Sequence, residues 1–522
     1  MNSRSLLGLG AALALAACSS RTTRLSELYE DYTQPRAGDA VVSGQSSFGV
    51  LSGDGGLVGS SRPDLGRKGL FAVRDGAACQ LAVASNGDES YAARMQALEG
   101  ARKSIRIQAL IFTGDEAGLK IAEILKKKRA QGLDVRVIVD AFSNPSLQTQ
   151  NMYFDLKQNG VEVEGYEAFL LQWLNEVHPD LEWANMRFHE KMWLIDVGTP
   201  RAIGVVGGLN VANEYFRIHP RDPAGRWRDQ DLVVRGAVLD DMAAAFDRNF
   251  EMFVDIKKSR GILDTNRSWN NTRAVMDATG TKVPFYFARD GELVRRADEM
   301  AERPVDLEWS EATCRFLQSR PRYGESYIEQ AYLEMIRDAR EEVLIGNAYL
   351  VPSRKLMGAI EDAARRCVRV LVLTNSPGTN DLPELSIVGR QYYGKILATN
   401  ESSEVKACGP GKGVQIWEWA GRRRGSGEIT DGQLHAKYAV FDRQASLVGS
   451  HNLDPRSERL NSETALVFDD PQAAAELARL FYENDLALSR PVTTEMASEF
   501  EEPNEALYRL RKTFGSLFEK QL

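Results

Sequence analysis

A histidine, a lysine and an aspartate recur at the same spacing in two places about 240 residues apart, and this repeat limits the possible folds more than any other feature. The residues are His189, Lys191 and Asp196 in FHEKMWLID, and His435, Lys437 and Asp442 in LHAKYAVFD. The chain has five histidines, so two such matches would arise by chance on the order of once in ten thousand chains of ordinary composition. The repeat therefore indicates an internal duplication of a whole domain.

The order of predicted secondary structure repeats together with the motif. In the first half, ESYAARMQALEGAR and GLKIAEILKKKRAQG have helical patterns, while SIRIQALIF and DVRVIVDAF are typical of strands. The same order returns after residue 320 in YIEQAYLEMIRDAR, EEVLIGNAYLVP, KLMGAIEDAARR and VRVLVLTN. Such alternation predicts an α/β fold. We expect one α/β domain over 71–260, a linker over 261–319, a second domain over 320–490 and a C-terminal helix over 491–522.

The motif itself suits chemistry at phosphorus. LHAKYAVFD has the β-branched and aromatic residues of a strand, so His435 and Lys437, two residues apart, are expected on the same face. An imidazole can take or give a proton, and an ammonium group beside it can bind a phosphate oxygen. Asp442, like Asp196 in the first copy, completes the catalytic motif. Its odd spacing from His435 places it on the other face or past the strand end, where it is expected to fix the turn.

Two copies of H-x-K-x-x-x-x-D, each followed by G-[SG]-x-N, resemble the phospholipase D superfamily, and the resemblance extends from about Phe71 to Ser489. The segments VLTNSPGTND and WRDQDLVVRG are similar to segments of bacterial cardiolipin synthases within it. The resemblance implies two tandem α/β/α domains related by a pseudo-twofold axis, with one active site at their interface. It also implies a phosphohistidine intermediate, a chemistry that requires neither a metal ion nor a cofactor.

The resemblance also assigns roles to individual residues. His189 is implied as the nucleophile and His435 as the general acid, although the motifs alone leave the two roles nearly symmetric. The other implied groups are Lys191, Lys437, Asn210, Ser450 and Asn452 at the phosphate, and Asp229 and Glu463 beside the imidazoles. Asp231 remains an alternative to Asp229, because the first copy carries a longer insertion before this segment.

Residues 1–18 predict a lipoprotein signal peptide. Arg4 precedes an apolar run over 6–17, which is shorter than the roughly 20 residues needed to span a bilayer. LAAC resembles a bacterial lipobox, in which Cys18 is lipidated; an ordinary signal peptide with a coincidental cysteine is the alternative. The serine pair that follows favours sorting to the outer membrane. We therefore expect a lipid anchor at Cys18, a Gly- and Ser-rich tether over 19–70, and a cell-envelope location facing the periplasm.

Composition restricts the partners of the protein. A net charge of −8 and a pI near 5.5 argue against a dedicated nucleic-acid-binding protein, which usually carries a basic excess. The expected partner is a phospholipid membrane, with phosphatidylglycerol or phosphatidylethanolamine as substrate, and the sequence identifies no protein partner. The four cysteines after Cys18 form no Cys-x-x-Cys pair, so a periplasmic disulfide is allowed but its partners cannot be read from the sequence. FLLQWLNEVHPDLEW, over 169–183, is either a core segment or an interfacial helix that admits acyl chains.

Three functions are compatible with these features. The leading one is a phosphatidyltransferase of the cardiolipin synthase type, which passes a phosphatidyl group through histidine to a glycerol hydroxyl of a second lipid. The alternative is a phospholipase D or another phosphodiesterase, in which water takes the place of the acceptor alcohol. A non-enzymatic lipid-binding protein is disfavoured, because both motifs and both downstream asparagines are intact.

Overall fold

The computed structural model describes residues 78–140, 143–166, 187–219, 221–260, 286, 288–321, 325–423 and 426–501. The predicted signal peptide, lipidation site and tether lie outside these residues, as do the segment 169–183 and the C-terminal helix beyond residue 501. Within the described ranges, no helix is both long enough and apolar enough to cross a bilayer.

The first half alternates strands and helices as its sequence pattern predicts. Helix starts are set by side-chain caps: Asn86 accepts a hydrogen bond from the amide of Glu89, and Asp115 accepts one from the amide of Gly118. In chain order the elements are β1 (Ala78–Ala84), α1 (Gly87–Gly100), β2 (Ser104–Ala109), α2 (Glu116–Ala130), β3 (Asp134–Asp140), α3 (Leu147–Gln158), β4 (Glu162–Tyr166), β5 (Met192–Ile195), β6 (Ile203–Gly207), β7 (Trp227–Arg228), β8 (Asp231–Gly236) and α4 (Val238–Arg260).

The second half repeats this order. Ser353 caps a helix by accepting a hydrogen bond from the amide of Leu356. After the connecting helix α5 (Gly291–Ala301), the elements of the second half in chain order are β9 (Ser310–Ser319), α6 (Tyr327–Asp338), β10 (Glu342–Asn347), α7 (Arg354–Arg365), β11 (Arg369–Asn375), α8 (Pro383–Ala398), α9 (Ser403–Ala407), β12 (Gly413–Trp419), β13 (Gln433–Leu434), β14 (Lys437–Phe441), β15 (Ala445–Gly449), α10 (Pro455–Arg459), β16 (Glu463–Asp469), α11 (Pro471–Arg479), β17 (Ser489–Pro491) and α12 (Thr494–Glu501).

Among the described residues, fifteen of these strands form one continuous sheet, in the order β17-β12-β11-β10-β14-β15-β16-β9-β1-β8-β6-β5-β2-β3-β4. The strands β9 and β1 lie side by side at its centre, and moving outward from them gives equivalent strands in both halves. For example, β14 and β5 carry the two motifs and occupy matching positions. The predicted α/β fold with two similar halves is confirmed.

The range 261–319 was predicted as a linker, but its end forms β9, one of the two central strands. Residues 313–319 of β9 pair antiparallel with β16, and residues 310–313 pair antiparallel with β1. Helix α5 in the same range packs against α1 and α2 of the first half. The second half therefore begins with β9 rather than at residue 320, since β9 is the counterpart of β1.

Helices cover both faces of the sheet. In β8, Leu232 and Val234 face an apolar core that contains residues of both halves, while Val233 between them faces a core of the first half alone. A disulfide between Cys79 and Cys314 joins β1 to β9, so it bridges the two halves at the centre of the sheet. A second disulfide joins Cys367 to Cys408 within the second half.

Candidate active site

Both motif histidines lie in segments whose backbone is hydrogen-bonded to the other half of the chain. The strand predicted over LHAKYAVFD is split between β13 and β14, and His435 lies in the gap. The amide of His435 donates a hydrogen bond to the carbonyl of Arg228 in the first half, at 2.7 Å. The amide of His189, in the first half, likewise donates a hydrogen bond to the carbonyl of Ser462 in the second half, at 3.0 Å. The break in the strand therefore results from pairing between the halves.

The residue after each of these carbonyl groups is a carboxylate that contacts the histidine ring. Asp229 Oδ2 lies 2.7 Å from His435 Nδ1, and Glu463 Oε2 lies 2.8 Å from His189 Nδ1. Each imidazole is thus oriented by a side chain from the other half of the chain. Asp231, the alternative to Asp229, instead accepts a hydrogen bond from an arginine of α1 at 2.6 Å.

Two buried ammonium groups lie in the same centre. Lys191 Nζ donates a hydrogen bond to the carbonyl of His189 at 2.8 Å, and Lys437 Nζ donates one to the carbonyl of His435. Burial lowers the pKa of Lys191 to about 7 and that of Lys437 to about 8, although the two carboxylates oppose this effect. An anion that binds beside these lysines would raise both pKa values again, so the site favours a negatively charged ligand.

The two imidazoles are neutral at neutral pH. Burial and both motif lysines lower the pKa of His189 to about 4, against the opposing effect of Glu463. Burial, both lysines and His189 lower the pKa of His435 well below its usual range. Since Nδ1 of each ring is held by a carboxylate, Nε2 is the nitrogen that can meet a ligand.

Glu463 lies among hydroxyl donors. Ser450 donates a hydrogen bond to it at 2.6 Å and Ser457 donates another at 2.7 Å. Burial alone would raise the pKa of Glu463, but the neighbouring histidines and Lys191 outweigh burial and lower the pKa to about 2. Ser450, predicted at the phosphate, therefore serves to hold this carboxylate.

Asp229 has different surroundings. None of the described residues donates a hydroxyl hydrogen bond to it, because the position equivalent to Ser450 is Gly208. A Cβ atom at residue 208 would lie 2.5 Å from Asp229 Oδ2, so a side chain there would displace the carboxylate. Burial and Asp231 raise the pKa of Asp229 to about 8, against the effect of Lys437. The Asp229–His435 pair therefore keeps a proton to a higher pH than the Glu463–His189 pair does.

The two asparagines after the motifs are both buried, but they differ in their contacts. Asn210 accepts a hydrogen bond from the amide of Ile111 at 3.1 Å and donates one to the hydroxyl of Tyr215 at 2.9 Å. Asn452 Oδ1, by contrast, has no hydrogen-bond partner among the described residues. The pseudo-twofold symmetry of the backbone is thus not matched by the side chains.

Asp196 and Asp442 do not join the histidines. They follow the far ends of β5 and β14 and have positive φ angles of 56° and 51°. Asp196 Oδ1 accepts hydrogen bonds from the amides of Lys103 at 2.6 Å and Ser104 at 3.1 Å, and Asp442 Oδ1 is bound in the same way to amides of residues 341 and 342. Each carboxylate therefore ties a turn to the start of a neighbouring strand, which is the turn role expected for Asp442.

Two aromatic residues beside His435 were missed by sequence analysis. The ring of Trp227 stacks on the imidazole with centroids 5.4 Å apart, and that of Tyr215 meets it edge-on at 4.9 Å. Trp227 stands in WRDQDLVVRG, so its segment could have drawn attention to it, whereas Tyr215 carries no sequence signal. Both rings come from the first half and enclose a histidine of the second.

The chain is similar to known proteins in both sequence and fold. A family model described as "Cardiolipin synthase, PLD-like domain" matches residues 95–223 and 332–486, more than half of the chain. The crystal structure of phosphatidylserine synthase from Haemophilus influenzae Rd KW20 has a TM-score of 0.55 and is 16% identical, and the match covers 85% of this chain and 95% of that one. At that identity the likeness shows a shared fold.

Three bacterial relatives are similar over most of the chain. The major cardiolipin synthase ClsA of Bacillus subtilis is 27% identical over 79% of this chain and 70% of its own length. The cardiolipin synthase of Geobacillus thermodenitrificans is 26% identical over 74% and 62%, respectively. Cardiolipin synthase A of Pseudomonas fluorescens is 27% identical over 84% and 74%. The chain thus spans about two thirds of the length of the curated relatives it matches.

Because the motif aspartates hold turns, replacing one of them should lower the stability of the protein without abolishing its activity. Asp196→Ala should lower the free energy of unfolding by about 2–4 kcal/mol, because buried amides lose their acceptor. The turnover of the folded protein should stay within about threefold of wild type. Urea unfolding and activity per folded molecule measure the two effects. The variant His189→Ala provides the opposite control, and a stable Asp196→Ala protein that has lost turnover would contradict the turn role.

Proposed function

This chain belongs to the family of phospholipase D-like cardiolipin synthase domains, and from that premise we propose that it is a phosphatidyltransferase of the cardiolipin synthase type. A phosphatidyl group passes through a phosphohistidine to a glycerol hydroxyl of a second lipid. The observation that carries this proposal is the pair of buried imidazoles, each held at Nδ1 by a carboxylate of the other half. This arrangement leaves two Nε2 atoms and two ammonium groups for one phosphate.

The first step begins at His189. With its Nδ1–H held by ionised Glu463, Nε2 carries a lone pair that attacks the phosphorus of a phosphodiester. The N–P bond forms while the P–O bond to the headgroup alcohol breaks. The leaving alcohol takes a proton from Nε2 of His435, and the proton of Asp229 moves to Nδ1 of the same ring. The raised pKa of Asp229 and the lowered pKa of Glu463 support this division of roles.

The second step reverses these proton movements. The hydroxyl of the acceptor lipid gives its proton to Nε2 of His435 while its oxygen attacks phosphorus, and the N–P bond to His189 breaks. The proton at Nδ1 of His435 returns to Asp229. Lys191 and Lys437 neutralise the phosphate oxygens throughout, and the asparagines add amide donors. The site is thereby restored for another turnover.

Transfer is favoured over hydrolysis by the burial of the centre. His189 is 8% exposed and His435 is 4% exposed, and both lysines are more deeply buried still. Bulk water therefore has little access to the phosphohistidine unless it enters through the position of the acceptor. A phospholipase D or phosphodiesterase would use the same residues with water as acceptor.

The proposed setting is the cell envelope. A lipid anchor at Cys18 would hold the enzyme on a membrane, with the outer membrane favoured by the residues after the cysteine. Two disulfides support an oxidising compartment such as the periplasm. The proposed substrates are phosphatidylglycerol, with phosphatidylethanolamine as a second donor, and we expect no nucleic acid partner.

The products formed from phosphatidylglycerol test the proposal. Purified protein in mixed micelles without added metal should convert phosphatidylglycerol to cardiolipin and free glycerol, as resolved by mass spectrometry of the lipids. Phosphatidic acid as the only lipid product would instead establish a hydrolase. If neither product formed, phosphatidylethanolamine would be supplied as donor, and continued inactivity would reject the catalytic proposal. His189→Ala is the inactive control.

The two histidine roles can be separated with a leaving group that needs no proton. His435→Ala should lose at least about 100-fold in turnover of phosphatidylglycerol, because general acid catalysis contributes on this scale. It should retain release of p-nitrophenol from a p-nitrophenyl phosphodiester in a first turnover. His189→Ala should fail with both substrates. The reverse pattern, measured as burst amplitude, would exchange the roles.

The pKa values predict a bell-shaped pH dependence of kcat/KM. His189 must be neutral to attack, and its pKa of about 4 means that activity falls as the pH drops through about 4. The Asp229–His435 pair must hold a proton and both lysines must be charged, and the pKa values of about 8 for Asp229, about 7 for Lys191 and about 8 for Lys437 mean that activity falls as the pH rises through these values. Steady-state rates across this range, with circular dichroism to verify folding, measure both limbs. Activity that persists unchanged to pH 10 would contradict the assigned acid.

A further inference from the structure

A carboxylate outside the two catalytic motifs, Asp381 at the end of VLTNSPGTND, is connected to the His435 side of the site. Asp381 follows β11 and is exposed, unlike the two buried side chains that hold it. The hydroxyl of Tyr349 donates a hydrogen bond to Asp381 Oδ1 at 2.6 Å, and Gln433 Nε2 donates one to the same oxygen at 3.0 Å. One carboxylate oxygen is thus fixed by the protein, while the residue itself is open to solvent.

The partners of Asp381 connect it to the reacting groups. Gln433 stands two residues before His435 on the segment that pairs with the first half. The ring of Tyr349 lies 5.9 Å from Lys437 Nζ. The charge of Asp381 also raises the pKa of Lys437 and so acts across this short distance. Asp381 is therefore connected to the His435 side of the site through Tyr349 and Gln433.

The loop that carries Asp381 is held mainly by its neighbours, and Asp381 Oδ1 also accepts a hydrogen bond from the amide of Leu382 at 3.1 Å. Asn380 Nδ2 donates to Ser386 Oγ at 2.6 Å, and Asn380 Oδ1 accepts from the amide of residue 382 at 2.9 Å. Thr379 Oγ1 donates to the carbonyl of Trp419 at 3.1 Å. The contacts from Tyr349 and Gln433 therefore add to local bonds that already hold the loop.

Equivalent positions on the His189 side and on the His435 side of the proposed phosphate site carry different side chains. Where Gln433 precedes His435 by two residues, the first half has Arg187 at the same distance before His189. The His189 side thus carries a cation, and the His435 side carries an amide, a phenol and a carboxylate. In the proposed mechanism the alcohols leave and arrive on the His435 side, because His435 exchanges their proton. A carboxylate and neutral hydrogen-bonding groups suit the hydroxyls of a polyol.

We infer that Asp381, oriented by Tyr349 and Gln433, binds the hydroxyls of a glycerol headgroup and selects a polyol as the acceptor. This inference rests on the proposed transferase function and adds the acceptor subsite to it. One hydroxyl of the polyol attacks phosphorus and gives its proton to His435, as in the second step above. A neighbouring hydroxyl donates a hydrogen bond to Asp381, which holds the reacting oxygen in place. An alcohol with one hydroxyl cannot make both contacts.

Competition between two acceptor alcohols tests this subsite. Wild-type protein and the variant Asp381→Asn would receive phosphatidylglycerol together with deuterated glycerol and ethanol, and the deuterated phosphatidylglycerol and the phosphatidylethanol formed would be resolved by mass. The ratio of glycerol transfer to ethanol transfer should fall at least about tenfold in the variant, because a hydrogen bond to a charged group is lost. The change should reside mainly in KM for glycerol. Tyr349→Phe should shift the ratio in the same direction by a smaller factor.

A matched control separates this effect from a general loss of surface charge. Asp362 is an exposed aspartate near the end of α7, and Asp362→Asn should leave the acceptor ratio unchanged. An unchanged ratio in Asp381→Asn, with active wild type, would overturn the acceptor subsite. Equal losses for glycerol and ethanol would also overturn it, since they would indicate an effect on the common chemistry. Hydrolysis without any transfer by wild type would reject the proposed function itself.

Discussion

The site depends on two hydrogen bonds that cross between the halves of the chain. Glu463 reaches His189 and Asp229 reaches His435, so neither half alone contains a complete imidazole–carboxylate pair. The backbone supports this exchange, because the segment before each histidine pairs with the segment before the other half's carboxylate. The central pairing of β1 with β9 and the Cys79–Cys314 disulfide hold the halves in this register. A complete site thus requires both halves of the chain.

Burial of so many ionisable groups has an electrostatic consequence. Two lysines and two histidines share a region from which water is largely excluded, and burial disfavours the charged form of each of them. The pKa values of all four are therefore lowered. An anionic phosphodiester supplies the opposite charge that the cationic forms lack. Binding of substrate and protonation of Lys191 and Lys437 are consequently coupled.

Sequence reasoning succeeded where the signal is local and failed where it depends on contacts between the halves. The spacing of His189 and Lys191 within one motif sufficed to find them, and alternation of strands and helices sufficed for the fold. The role of Ser450 depends on its hydrogen bond to Glu463, thirteen residues later on the next strand. The strand β9 was assigned to a linker because its equivalence to β1 becomes visible only in the completed sheet. The disulfide partner of Cys79 is 235 residues away, and the spacing of the cysteines does not identify it.

The differences between the halves explain why a symmetric fold can carry out an asymmetric reaction. Glu463 faces a serine at position 450, whereas the shorter Asp229 lies against glycine at position 208, where a Cβ would come within 2.5 Å of it. The first arrangement keeps a carboxylate ionised and its histidine nucleophilic. The second denies the carboxylate a hydroxyl donor and keeps a proton on the pair. In the proposed mechanism, the carboxylate with the lowered pKa accompanies the attacking His189, and the carboxylate with the raised pKa accompanies His435, which transfers the proton.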